Sequence, residues 1–264
     1  MKFYKFDGAG NDFVIVDNRE AKTVFGQEEV ARICHRRFGV GADGFMTLES
    51  PSEGYDFEMV YYNSDGRVGS MCGNGGRCIA MFAHLLGLGD RLHFLAYDGP
   101  HNAVVRMNPQ DDSAAGLPIT AMVDLTMRDV PKSEVRKIEE VEDGYFIDTG
   151  SPHFVIPVED LDATDVVAEG RRWRNRADLF PEGTNVDFLH FDNEGEISIR
   201  TYERGVEDET YACGTGVTAC ALLTGYDIVH TRTATFVVEH DENDEAFTHV
   251  VLTGPASLNF TGNL

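Results

Sequence analysis

The sequence predicts a mixed α/β chain of the α+β type, built as two similar halves, each a mostly antiparallel sheet around a buried central helix. Three observations carry that expectation. Short runs of aromatic and β-branched residues alternate with Gly, Asp and Asn turns along most of the chain. Two helical stretches are apolar nearly all round, as suits a helix buried on every face. Each of these is opened by the same pattern, Cys-Gly-x-Gly, at Cys72 and again at Cys213.

In the first half, residues 12–17, 55–62, 91–97 and 103–107 read as strands, and Gln27 to Phe38 as an amphipathic helix through Val30, Ile33, Cys34 and Phe38. The first apolar helix follows Cys72 and stops at Gly87. In the second half, residues 119–127, 145–148, 154–158 and 186–191 read as strands. The turn Asp192-Asn193-Glu194-Gly195 then predicts a hairpin into residues 196–201. Residues 235–240 and 248–253 flank a further acidic turn, and Asp165 to Phe180 reads as a charged helix. The second apolar helix follows Cys213 and stops at Gly225. Residues 108–118, with their Pro, Gly and Asp, read as the linker. The domains expected are therefore 1–117 and 118–253, with 254–264 returning to complete the first.

The chain's 264 residues can bury a core without disulfides. Its five cysteines include no CxxC pair, so they read as reduced thiols of a cytoplasmic protein. The start of the chain lacks the apolar stretch of a signal peptide. No apolar run is long enough to span a bilayer, and no membrane association is expected. A net charge of −23 repels nucleic acid and excludes an electrostatic DNA binder. With only five lysines, cationic roles fall to arginine.

A thiol at a helix N-terminus meets unpaired N–H groups and the positive end of the helix dipole, which favour thiolate. The neighbouring glycines let a carboxylate approach the same N–H groups. Two such starts acting on one substrate would set a sulfur on either face of the carbon beside the carboxylate. One thiolate would take the α-hydrogen, and the opposite thiol would deliver a proton. Cys34, Cys78 and Cys220 read as packed small hydrophobes. The cysteine spacings do not fit zinc, and nothing in the sequence implies a pyridoxal cofactor.

At these residues the sequence resembles the diaminopimelate epimerases, a family of two-cysteine, cofactor-independent amino-acid epimerases. The likeness runs in seven ordered blocks: residues 6–13, 39–44, 62–66, 71–77, 183–188, 202–206 and 212–216. It implies two α/β domains, each a curled sheet around a central helix, with the active site in the cleft between them. The implied reaction interconverts LL- and meso-2,6-diaminopimelate, a precursor of lysine and peptidoglycan, without a cofactor or metal. A homodimer is also implied.

Carried across by position, Cys72 and Cys213 are the acid–base pair, His153 assists one cysteine and Glu203 the other. Gly73 with Asn74, and Gly214 with Thr215, meet the reacting carboxylate. Asn11, Asn63, Ser151, Asn185, Glu203 and Arg204 match substrate-binding positions, with Arg204 suited to clasp the distal carboxylate. Ser151 stands where many relatives carry Asn, and Gly44 removes any contact through a longer side chain. Two other readings stay open from the residues: a racemase for another amino acid such as proline, and a thiol redox or metal-binding protein.

Overall fold

The computed structural model describes residues 1–69, 72–109, 118–192 and 195–264. The chain divides into two units, Met1–Leu125 with Gly254–Leu264, and Thr126–Thr253. Most of the expected linker, and Asn193 and Glu194 of the expected hairpin turn, lie outside the described residues.

The first unit contains β1 (Lys2–Gly8), β2 (Asn11–Asp17), α1 (Gln27–Cys34), β3 (Gly44–Glu49), β4 (Phe57–Asn63), α2 (Gly73–Leu85), β5 (Arg91–Ala96), β6 (Gly99–Met107) and β7 (Ile119–Thr126). The second contains β8 (Val130–Pro131), β9 (Arg136–Lys137), β10 (Tyr145–Asp148), β11 (Pro152–Pro157), α3 (Val166–Arg174), β12 (Asn185–Phe191), β13 (Glu196–Glu203), β14 (Asp208–Thr210), α4 (Gly214–Thr224), β15 (Ile228–His230) and β16 (Thr235–Glu242). The last strand, β17 (Ala246–Asn263), belongs to the second unit through its first residues and to the first through its last.

Within the first unit the pairings run β1–β2–β3–β4–β5–β6–β7–β17 and return to β1. All are antiparallel except β2–β3 and β4–β5. Helix α2 is buried from Gly73 to Ala83 and packs against β1, β2, β3 and β6, so the ring of strands encloses it. Ile79, Met81 and Phe82 are fully buried, each worth about 1.5–3 kcal/mol relative to exposure. Phe82 meets Tyr4 and Phe6 of β1 at ring-centroid distances of 4.7 and 5.9 Å.

The second unit repeats this plan. The succession β10–β11–α3–β12–β13–α4–β15–β16 matches β1–β2–α1–β3–β4–α2–β5–β6, with parallel pairing at the same two places, β11–β12 and β13–β15. Helix α4 packs against β10 to β13, β15 and β16, and is buried along most of its length. Helix α3 covers another face through Val166 and Trp173, which join Phe154, Phe180 and Tyr202 in one core.

Three expectations are corrected. Strand β7 pairs with β6 and β17, so the division falls at 125/126 rather than 117/118. Helix α1 ends at Cys34, not Phe38, because His35 Nδ1 accepts from the N–H groups of Arg37 and Phe38 and turns the chain. The chain then passes so close to α1 that a Cβ on Gly39 would lie 2.0 Å from the Arg32 carbonyl oxygen. Helix α3 begins at its cap, where Asp165 accepts from Ala168 N–H, but stops at Arg174. Strands β1 and β3 were not expected. Lys5 interrupts the apolar pattern of β1, and its burial is compensated by an ion pair to Asp12 at 2.6 Å.

Candidate active site

Both cysteines are N-caps with extended backbone, Cys72 before α2 and Cys213 before α4. Cys72 is half-buried, and its Sγ accepts from Gly75 N–H at 3.3 Å. Cys213 is 7% exposed, and its Sγ lies 3.4 Å from Thr215 Oγ1. Each thiol therefore stands where the first turn of a buried helix directs its N–H groups.

Around Cys72 the first unit gathers Gly73, Asn74 and Asn11. Asn74 Nδ2 donates to Asn11 Oδ1 at 3.5 Å, and Asn11 Nδ2 donates to Asp43 Oδ2 at 2.8 Å. Asn63, at the end of β4, is exposed and turns its amide toward the Arg67 carbonyl. Arg36 and Lys5 both pair with Asp12. They outweigh its burial and hold its carboxyl down at about 2.

The second unit brings together more of the expected residues. Thr215 Oγ1 lies 2.8 Å from His153 Nε2, and His153 Nδ1 lies 2.6 Å from Asp187 Oδ2. Thr201 donates to the other oxygen of Asp187 at 2.7 Å. His153 and Asp187 are both fully buried. Burial alone would lower the imidazole pKa, but the Asp187 carboxylate overrides it and raises it to about 10. The ring is then an imidazolium that donates from both nitrogens. Thr215 accepts one of those bonds, which leaves its hydroxyl proton to point at Cys213.

Asn185 ties the remaining groups to this centre. Its Nδ2 donates to Ser151 Oγ and the Pro152 carbonyl at 2.8 and 3.0 Å, and its Oδ1 accepts from Arg204 N–H at 2.8 Å. The Arg204 guanidinium donates to the Glu182 carbonyl, and Glu203 ends β13, half-buried, beside it.

Asp187 and Thr201 were missed in the sequence. The signal for Asp187 was an acid inside the apolar run Val186–Phe188–Leu189, where an unpaired charge is costly. A Cβ on Gly216 would sit 2.5 Å from Asp187 Oδ1 and 3.2 Å from His153 Cε1. The second glycine of this Cys-Gly-x-Gly thus admits the ion pair beneath the helix start.

Strand register aligns the two sites. Phe13 pairs with Gly44 as His153 pairs with Asn185, so Phe13 occupies the place of His153 and Met46 that of Asp187. By the β3–β4 and β12–β13 registers, Asn63 occupies the place of Glu203.

Two units of one plan, each opening its buried helix with a thiol, define the class as a duplicated two-unit α/β fold. A phenazine biosynthesis protein from Bacillus anthracis matches it with a TM-score of 0.71 at 15% identity, covering 100% of this chain and 98% of that one. A hydroxyproline epimerase from Agrobacterium vitis matches with a TM-score of 0.65 at 13% identity, covering 99% and 91%. These likenesses concern the fold.

The sequence is more specific. The diaminopimelate epimerase model matches residues 3–106 and 145–258. Diaminopimelate epimerases of Flavobacterium psychrophilum and Chlorobaculum tepidum are 39% and 44% identical to the chain, the first over 98% of both chains, the second over 82% of this chain and 80% of its own. The chain belongs to the diaminopimelate epimerase family.

Proposed function

We propose that the chain interconverts LL- and meso-2,6-diaminopimelate by proton transfer at one α-carbon, with Cys72 and Cys213 as the acid–base pair. The observation that carries this reading is the recurrence of a thiol N-cap at the same topological place in two matched units. Inversion at carbon needs removal of hydrogen from one face and delivery to the other, which suits two chemically identical groups in opposite protonation states.

In each direction one cysteine starts as thiolate and takes the α-hydrogen. The carbanion's charge spreads into the adjoining carboxylate, which the helix-start N–H groups of Gly73, Asn74, Gly214 and Thr215 stabilise. The other cysteine gives its proton to the opposite face and ends as thiolate. His153 keeps Cys213 ready for both roles through Thr215, and the buried Asp187 carboxylate holds that imidazole charged. Glu203, Asn11, Asn63, Ser151, Asn185 and Arg204 bind the ammonium groups and the distal carboxylate. A homodimer in the cytoplasm belongs to the same reading, supported by five free thiols and by the family resemblance.

The test is turnover of LL-diaminopimelate in deuterium oxide, followed by chiral chromatography and mass spectrometry. One deuterium should enter the inverted α-carbon, while proline should remain unchanged. Cys72→Ala and Cys213→Ala should each lower turnover by about a thousandfold or more with unchanged circular dichroism. Near-normal epimerisation by either variant would falsify the two-thiol scheme.

A further inference from the structure

Arg77 is the largest fully buried side chain among the described residues, and it lies on the buried helix α2. Taking a guanidinium out of water is costly, and burial lowers its pKa to about 10. Its partners explain where it is held. Nη1 donates to the Gly73 carbonyl at 3.2 Å, Nη2 to Asn74 Oδ1 at 2.8 Å, and Nε to the Pro255 carbonyl of β17 at 3.1 Å. The cation is thus fastened beside the first turn of α2, at the end already positive from the helix dipole.

The corresponding position of α4, counted from the two cysteines, is Thr218. It is also fully buried and donates to the carbonyl of the equivalent residue, Gly214, at 3.0 Å. A neutral hydroxyl therefore meets the packing and hydrogen-bonding demand that the helix makes at this place. The charge at Arg77 is additional. In the second unit a cation is also buried behind the helix start, but it is His153 on the sheet; the first unit has Phe13 there.

We infer that Arg77 is a positioning residue for Cys72: its buried charge favours the thiolate, and its hydrogen bond to Asn74 aims that amide toward Asn11. This rests on the proposed role of Cys72 as an acid–base group. The ionisable groups on the elements packed against α2 are Lys2, Tyr4, Lys5 and Asp7 on β1, Asp12 and Asp17 on β2, Glu49 on β3, and His101 and Arg106 on β6. Asp7 and the thiols of Cys72 and Cys78 act on Arg77 electrostatically. Asp7 is occupied by Gly10 N–H and Asn259 Nδ2. Burial pushes the Cys78 thiol well up, so it stays protonated. Cys72 directly precedes Gly73 and Asn74, the two residues that the guanidinium holds, and is the half-buried thiol among these groups.

The experiment is peptide-resolved alkylation with iodoacetamide, without substrate, across about pH 5 to 10. In Arg77→Gln the midpoint for Cys72 should rise by about one unit or more, so that Cys72 reacts about tenfold more slowly near neutrality, while Cys213 keeps its profile. Arg77→Lys should restore the Cys72 profile but keep a reduced kcat/KM, because an ammonium cannot hold the Asn74 and Gly73 oxygens in one fork. A folded Arg77→Gln with the parent's Cys72 profile, or one in which both cysteines shift together, overturns the inference. If Arg77→Gln does not fold, the unaltered protein decides. A Cys72 midpoint below that of an ordinary thiol, about 8.5, supports the inference, and one at or above it overturns it. Alkylation is read apart from turnover, so failure of the unaltered chain to epimerise diaminopimelate would count against the proposed function instead.

Discussion

At α4 the ionisable groups lie in the sheet beneath the helix, His153 on β11 and Asp187 on β12. At α2 the same two sheet positions hold Phe13 and Met46, and the charge sits on the helix itself at Arg77. The second glycine of the motif faces these different floors. A Cβ on Gly75 would lie 3.3 Å from both Met46 Sδ and Cys72 Sγ, whereas on Gly216 it would strike the Asp187 carboxylate at 2.5 Å. On the roles proposed for Cys72 and Cys213, one backbone plan carries two electrostatic solutions to the same demand, a thiol that holds and releases a proton. The cation at α2 is a guanidinium on the helix itself, whose pKa burial lowers to about 10. The cation at α4 is an imidazolium in the sheet, held by the carboxylate of Asp187 at 2.6 Å.

The largest effect expected from disturbing this contrast is at Asp187. Asp187→Asn removes the charge that keeps His153 protonated and should lower kcat by about a hundred- to a thousandfold, measured as epimerisation at saturating substrate. The same variant should change the response to alkali. Asp187 holds the folded imidazole at about 10, above its ordinary 6.5, so the stabilisation is complete below pH 6.5 and is lost as the pH rises through 10. Thermal melting should show that alkaline decline in the parent and a flatter profile in Asp187→Asn. An equal slope in both would separate His153 from Asp187.

Next in size is the glycine pair. Gly216→Ala should destabilise the protein by about 1–3 kcal/mol, because its Cβ meets a buried carboxylate that cannot retreat. Gly75→Ala should cost less than about 1 kcal/mol, since helix propensity favours Ala and the neighbouring Met46 thioether can shift. Chemical denaturation of both variants checks the order, and its reversal would break the comparison. The smallest effect is at the bridge. Thr215→Val keeps the shape but removes the hydroxyl between Cys213 and His153, and should lower kcat by about tenfold with little change in stability.

Much of this was legible along the chain. The helices at Cys72 and Cys213 showed through their apolar faces and motif, and the repeat of the motif foretold two similar halves. The short strands β8, β9, β14 and β15 did not show, because runs of two or three residues have no period to read. The domain boundary was misjudged because a strand's sequence does not say which sheet it joins, and β7 is claimed by β6 and β17. Asp187 was visible only as an oddity, an acid in an apolar strand.

By itself the sequence determined the two thiol helix starts, the free cysteines, the acidic surface and the family, since these depend on residue type and on neighbours in the chain. Only the tertiary structure decided which charges stand behind each thiol. Arg77, held by Pro255 from the far end of the chain, and Asp187, joined to His153 across parallel strands, acquire their chemistry by burial. Burial is a property of what surrounds a side chain, and those surroundings are assembled from residues distant in sequence.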